Sequence, residues 1–382
     1  MPTNTRKIAV VIPKYGLIGG AEGFAAELTE RIGQNNRYEI HVFANQWRNH
    51  SSRIIFHKIP IVSFPKFLTT VSFAFFAGLQ ISKMNFDLIH THDRIFNADL
   101  FTMHGIPHRT WITNVRGKNM SLFDRATDWV EKCLVQNQRC KKFLTVSSLA
   151  KEKFLQEYRQ IGPDRVQIIH PGVDVQRFER LTRKDCREKV RGHLRIGLKD
   201  FVILFVSMNF EIKGLAELMA GVAKFKSKYR INNFKLLITG KGNVKKFWRL
   251  AHDLGIQEQA LFLGIVPKEK LERIYLASDV FAMLSKFDTF GIAVLEAMAA
   301  SLPGLISKNV GAKDIVREEE NGFIFSLPTS PEEIADRIGY LLDDGIRSKM
   351  AKESYITAGC QSWEIVAQKV QNIYDEIIWG KK

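Results

Sequence analysis

The stretch Ser285-Lys-Phe-Asp-Thr-Phe-Gly-Ile-Ala-Val-Leu-Glu-Ala-Met-Ala-Ala-Ser-Leu-Pro-Gly304 decides how this 382-residue chain is read. It carries an acid at Asp288, a Phe290-Gly291 pair and a second acid at Glu296. The pattern runs from the end of an apolar strand into a helix. A glycine at the mouth of a helix lets backbone N–H groups approach an anion, and the positive end of the helix dipole favours phosphate. A carboxylate further along can accept hydrogen bonds from sugar hydroxyls. Diphosphate and hydroxyls together suit a sugar nucleotide. A plain strand–turn–helix with solvated acids explains the same residues without a ligand.

Working outward, the segments on either side repeat one plan. In the second half Phe201–Ser207, Phe234–Thr239, Ala260–Leu263 and Asp279–Leu284 read as strands, with helices over Gly214–Ser227 and up to about Leu254. In the first half Ile8–Pro13 is a strand, followed by the loop Lys14-Tyr-Gly-Leu-Ile-Gly-Gly20 and a helix over Ala21–Ile32. Tyr38–Ala44, Asp87–His90, Leu100–His104 and Phe143–Ser147 are further strands, the last being the final clear one of this half. Continuously apolar strands alternating with helices imply parallel sheets covered on both faces. The predicted class is therefore α/β, with two doubly wound Rossmann-like domains. Their ligand crevices lie at the strands' carboxyl ends, and facing each other they would form one cleft. The charged and glycine-containing connection from Pro171 to about Leu198 marks the junction.

Composition narrows the function. A chain of this length exceeds one ordinary core. The hydrophobic content of 45% and charged content of 25% are those of a folded soluble protein. The strand at Lys7–Ile12 begins too early for a signal peptide, and Phe67–Ile81 is shorter than the roughly 20 residues of a bilayer span. A buried or interfacial helix is expected there. Cys133, Cys140, Cys186 and Cys360 form no close pair, which predicts reduced structural thiols in the cytosol. Without secretion, the acceptor-like triplets Asn49-His-Ser51 and Asn119-Met-Ser121 carry no meaning. The net charge is +16, and residues 1–180 hold 25 Lys/Arg against 15 Asp/Glu. No nucleic-acid module is recognisable, so nucleic acid is not an expected partner. A basic half beside an apolar helix fits an anionic membrane surface.

The ordered set of signals resembles a family-4 glycosyltransferase with the GT-B fold, over nearly the whole chain. Its carriers are Gly19-Gly20, Met103-His104-Gly105, His170-Pro-Gly-Val-Asp174, Lys213-Gly214, the Asp288…Glu296 motif and Asn321-Gly-Phe323. Ser362-Trp363-Glu364 resembles the start of the family's last helix. Through Lys213-Gly214 and the run from Gly240 to Leu263 the chain is most similar to the lipopolysaccharide core glucosyltransferases. The resemblance implies a first, acceptor-side domain over 1–175, with the helix 362–382 packing back on it. A second, nucleotide-sugar-binding domain covers 195–361. It further implies transfer of a sugar from a nucleotide diphosphate, with retention at the anomeric carbon and no metal cofactor. A glycan or glycolipid of the cell envelope would accept the sugar, with the enzyme peripheral on the inner face of the membrane.

The same resemblance assigns residues. Lys213 would neutralise the leaving diphosphate, although it is also a plain surface lysine at a helix start. Glu296 would bind the ribose hydroxyls. Asp288 stands where the family usually has glutamate and would contact the donor sugar. Phe290 and Gly291 would offer backbone N–H groups, and Gly19 and Gly20 would allow close approach to the donor phosphate. His104 would lie near the transferred sugar; a lone histidine is equally at home in a core. Met208 occupies a position where relatives have arginine, leaving Lys241 or Lys313 as a replacement cation. His90 and His92 suggest a metal pair, but a strand end near a cleft accounts for them. Two other readings stay open: a GT-B sugar-nucleotide epimerase, for which no acid–base set is identifiable, and a non-catalytic scaffold.

Overall fold

The structure is a computed structural model that describes residues 5–17, 19–48 and 51–380. Ile18 of the first loop, Asn49 and His50 of the acceptor-like triplet, and Lys381 and Lys382 of the expected helix 362–382 lie outside them. The chain divides into two compact units, residues 1–172 with 363–382, and residues 173–362.

In the first unit the main sheet is built from β1 (Arg6–Val11), β2 (Tyr38–Ala44), β3 (Ile54–Lys58), β4 (Leu88–Thr91), β5 (Leu100–Met103), β6 (Lys142–Thr145) and β7 (Val166–Ile168), with a separate two-residue pairing of Lys14–Tyr15 and Gln46–Trp47. The main sheet is parallel, in the order β3-β2-β1-β4-β5-β6-β7. Side chains alternate between its faces. Ile8 and Val10 of β1 point into one core with helix α1 (Gly20–Ile32) and the final helix Trp363–Trp379. Ala9 and Val11 point into the other core, with α2 (Leu68–Ile81) and α3 (Leu122–Gln136). A strand buried on both sides favours apolar residues on both, and the few polar ones, such as His90 and Thr102, are hydrogen-bonded.

The second unit is built the same way from β8 (Phe201–Ser207), β9 (Phe234–Gly240), β10 (Ala260–Gly264), β11 (Val280–Met283), β12 (Gly304–Ser307) and β13 (Gly322–Phe325), in the order β10-β9-β8-β11-β12-β13. Strand order reverses beside β1 in one unit and beside β8 in the other, the place where open α/β sheets bind ligands. Two doubly wound sheets of this order make the α/β GT-B architecture.

Sequence reading missed β3, β7, β12 and β13. These are edge or near-edge strands of three to five residues. They are too short for a periodic pattern to separate them from a buried turn. The predicted junction also turns out to be structured. Residues 176–179 and 183–193 are helices of the second unit, held there by arginines. Arg191 is fully buried. Its guanidinium donates to the carbonyls of Ala277, Gly197, Leu198 and Asp200 and to Asp279 Oδ2 at 2.9 Å. Asp279 also accepts from Arg187 at 2.7 Å and from the Val202 N–H.

The final helix is tied into the first unit by Arg31–Glu364, by Arg37 and Tyr38 to Asp375, and by Tyr374, whose hydroxyl lies 2.7 Å from His90 Nδ1. His90 Nε2 meets the Thr102 hydroxyl at 2.7 Å, and His92 Nδ1 lies 3.0 Å from His104 Nε2. Burial pushes His90 and His104 down to about 3, with the neighbouring His104 adding to the effect on His90. His92 is lowered by burial and by both neighbours. All three are therefore neutral imidazoles at physiological pH.

Two outcomes follow. Arg191→Ala should lower the unfolding free energy of the second unit by about 3 kcal/mol, because it takes the shared donor from four carbonyls and one of two arginines from buried Asp279. Arg187→Ala, at a partly solvated side chain, should cost much less; urea unfolding measures both. His90 and His104 bind protons when unfolded, near 6.5, but not when folded until about 3. Stability is thus unaffected by them above 6.5 and falls as pH drops through that window, by about 1.4 kcal/mol per pH unit for each histidine. Melting temperature against pH should fall less steeply in His104→Asn than in the parent.

Candidate functional site

Lys213 and Asp288 meet because two loops at the carboxyl ends of β8 and β11 are pressed together. At Gly214 the backbone has φ of 77°, and an added Cβ would sit 1.9 Å from the Leu284 carbonyl oxygen. Only glycine permits that approach. Lys213, one residue earlier, then reaches across. Its Nζ lies 2.5 Å from Asp288 Oδ2 and 3.5 Å from the Phe287 carbonyl. Residues that sequence reading gave separate tasks form an ion pair, with both side chains about four-fifths covered. Two of the ammonium's three donor directions are used.

Asp288 is pinned on its other side as well. Its Oδ1 accepts the Phe290 N–H at 3.3 Å, its own N–H donates to the Asn309 carbonyl and its carbonyl accepts from Gly311. The Phe290 N–H thus points at its own loop's carboxylate, while the ring is 2% exposed and belongs to the core. Gly291, with φ of 91°, turns the chain into α10 (Ile292–Ala299). A Cβ there would lie 2.8 Å from Met283 and Val310, so this bend too demands glycine. Position 208 is an exposed methionine. Lys313 sits on the turn Gly311–Asp314, whose N–H groups bond the Asp288 and Phe290 carbonyls. Lys241 follows β9, its N–H bonded to the Ser207 carbonyl.

Glu296 lies on α10 and is already partnered. Oε1 accepts from Arg177 Nη2 at 2.6 Å, and Oε2 from the Tyr275 hydroxyl at 3.2 Å. Glu272 Oε1 stands 3.7 Å from Arg177 Nε. Burial draws the Arg177 guanidinium down, but Glu296 and Glu272 outweigh it and raise it. Burial holds the Tyr275 phenol well above its ordinary value, so it remains an O–H donor. A carboxylate offers about four acceptor positions. With two taken, two remain for a pair of hydroxyls. Sequence reading missed Arg177, Tyr275 and Glu272; the one hint is that Arg177 follows three residues after Asp174 of the junction motif.

The remaining candidates lie in the first unit. Gly19 and Gly20 are exposed at the start of α1, beyond the end of β1. His104 follows β5, and the ring of Phe24, one turn into α1, packs edge-on to it at 4.8 Å. The glycine loop and His104 are thus held to one end of that sheet. Both nitrogens of His90 are engaged within the protein, and among the described residues no group of three or more His, Cys, Asp or Glu is arranged to hold a metal. The four cysteines are unpaired.

Comparison with known proteins fits this frame. Residues 18–177 match the model described as Glycosyltransferase Family 4, and residues 187–356 match Glycosyl transferases group 1. An uncharacterized glycosyltransferase of Methanocaldococcus jannaschii is 28% identical, over 96% of this chain and 97% of its own. A D-inositol 3-phosphate glycosyltransferase of Corynebacterium urealyticum is 28% identical over 76% of this chain and 72% of its own. Among solved structures, WaaG, a glycosyltransferase involved in lipopolysaccharide biosynthesis, superposes with a TM-score of 0.79 at 19% identity, covering 96% of this chain and 99% of that one. Anabaena HepE in complex with UDP-glucose gives 0.72 at 17% identity, covering 97% and 100%. With the two halves matched in order by two glycosyltransferase models on this architecture, the chain is a glycosyltransferase of the GT-B fold.

Proposed function

We propose that this enzyme moves a hexose from a UDP-hexose, with retention at the anomeric carbon, to a glycan of the cell envelope such as a lipopolysaccharide core. The observation that carries the donor half is the meeting of Lys213, Asp288 and Gly291 at the carboxyl ends of β8 and β11. As the bond from the anomeric carbon to the diphosphate oxygen breaks, negative charge grows on the leaving phosphate. Lys213 supplies the matching cation, and a fixed charge aimed at developing charge is an effective form of catalysis. Asp288 holds that ammonium in place and turns its carboxylate toward the donor sugar. Glu296 takes the two ribose hydroxyls with its two unused acceptor positions. Within the first unit, Gly19 and Gly20 leave backbone open to a phosphate, and neutral His104 can exchange hydrogen bonds with a sugar without adding charge. Lys313 is the better-placed second cation, since its turn is bonded to the Asp288 loop. No metal enters this scheme.

Uridine is favoured by the UDP-glucose held by HepE, and the envelope acceptor by the likeness to WaaG. The inositol phosphate relatives favour a small phosphorylated acceptor as the second reading. The basic first half suits either.

A surface in the first unit supports membrane docking from the cytoplasmic side. Phe64 is 88% exposed and Leu122 70%, and Phe67, Phe75 and Leu79 are also exposed. Phe75 and Leu79 share one face of α2. Lys66 Nζ lies 5.1 Å from the Phe123 ring, which joins the segment before α2 to the start of α3. Arg116, Lys118 and Arg125 are exposed nearby in the chain. Apolar side chains ringed by cations are what an anionic leaflet attracts, at about 1 kcal/mol per basic residue near the surface.

Lys213→Ala should reduce turnover at least about tenfold. Asp288→Ala should lose most transfer yet keep or tighten UDP affinity, since it frees Lys213; Asp288→Glu should retain activity. Calorimetry with UDP beside initial rates tests the assignment, and equal losses of binding and transfer in Asp288→Ala would overturn it. Vesicle co-sedimentation should show binding to anionic but not neutral lipid, weakening with salt and with Phe64→Ser/Phe75→Ser. Equal binding to both lipids would remove the electrostatic account.

A further inference from the structure

Arg177 is placed to serve Glu296 more than itself. Its Nε is buried without a hydrogen-bond partner, and Glu272 at 3.7 Å is too distant to accept from it. An arginine set only to staple its helix would satisfy that nitrogen, because an orphaned buried donor is costly. Instead the guanidinium, stacked 4.7 Å over the Phe178 ring, gives its shortest contact, 2.6 Å, to Glu296 Oε1. From α9 (Lys268–Ala277), Tyr275 gives its hydroxyl to Oε2, and its ring packs edge-on to Phe178. Both carboxylate oxygens are therefore gripped, one by each donor, and the plane of the carboxylate is fixed. Glu272 adds a second negative charge beside Arg177, which is thus shared between two acids.

We infer that Arg177, assisted by Tyr275, is a positioning residue for nucleotide recognition: it fixes the Glu296 carboxylate so that its two open acceptor positions read the 2′- and 3′-hydroxyls of the ribose. This rests on the assignment of Glu296 to the ribose made above. Removing Arg177 lets the carboxylate rotate and leaves Glu272 and Glu296 to repel each other. Binding of a ribonucleotide then suffers, while binding of one without the hydroxyls does not.

The experiment measures calorimetric affinity for UDP and for 2′,3′-dideoxy-UDP, with GDP and ADP and their dideoxy forms in parallel. The quantity read is the preference for the ribonucleotide over its dideoxy form. Glu296→Gln should abolish most of this preference, and Arg177→Met should lower it about tenfold, the worth of one charge-assisted hydrogen bond. Arg177→Lys should recover part of it. Tyr275→Phe, a milder change that keeps the ring packing, should lower it less. Arg177→Met added to Glu296→Gln should lower it no further. If Glu296→Gln leaves the preference intact, or no nucleotide binds, the ribose reading itself fails. If Glu296→Gln abolishes the preference but Arg177→Met and Tyr275→Phe keep it, or weaken both nucleotides equally, the ribose reading stands and the positioning role is overturned.

Discussion

The absence of one side chain, at Gly214, sets the geometry on which the Lys213–Asp288 pair depends. With no Cβ, the loop after β8 lies against the Leu284 carbonyl at the end of β11. That closeness makes a four-carbon lysine stem long enough to touch Asp288, and it fixes the start of α7 (Leu215–Tyr229). Any larger residue at 214 would set its Cβ 1.9 Å from the Leu284 carbonyl oxygen and force the two loops apart. The bend at Gly291 is a second constraint of this kind, set by Met283 and Val310. Two glycines thus place charges that neither of them carries.

The charges themselves are arranged in linked sets, not as isolated groups. Lys213 answers Asp288, and Arg177 stands between Glu272 and Glu296. Each set holds polar groups partly out of water, where an unpaired charge is expensive and a paired one is held rigidly. Charges held this way keep a fixed orientation within the fold. Its shorter acid at 288 is accommodated because the carboxylate folds back on the Phe290 N–H and the lysine.

Much of this was legible in the sequence, for a physical reason. Strands such as Val202–Phe205, buried on both faces, write themselves as apolar runs, and the glycines at 214 and 291 mark turns that no other residue makes. Asp288 and Glu296 stood out by spacing and chemistry, and Lys213 through the family resemblance. What could not be read was partnership. Nothing in the order of residues says that Lys213 is bonded to Asp288, or that an arginine 119 positions earlier grips Glu296. Arg191 was equally silent, a charge in a stretch of charges that proves to be fully buried. The short strand Gly322–Phe325 was hidden because four residues are enough for a ladder but not for a period.

The helix Trp363–Trp379 has a consequence for how the protein is made. Its apolar side, including Val366, Val370, Ile373 and Tyr374, completes one face of the first unit's sheet, which is otherwise assembled from residues before 172. During synthesis the ribosome therefore releases a sheet with one face covered by α1 but not yet by its second helix, while some 190 further residues are added. The second unit, contiguous in the chain, can close first. The part begun earliest is finished last, and the nascent chain carries an exposed apolar surface, the kind of surface chaperones bind, until its final helix arrives.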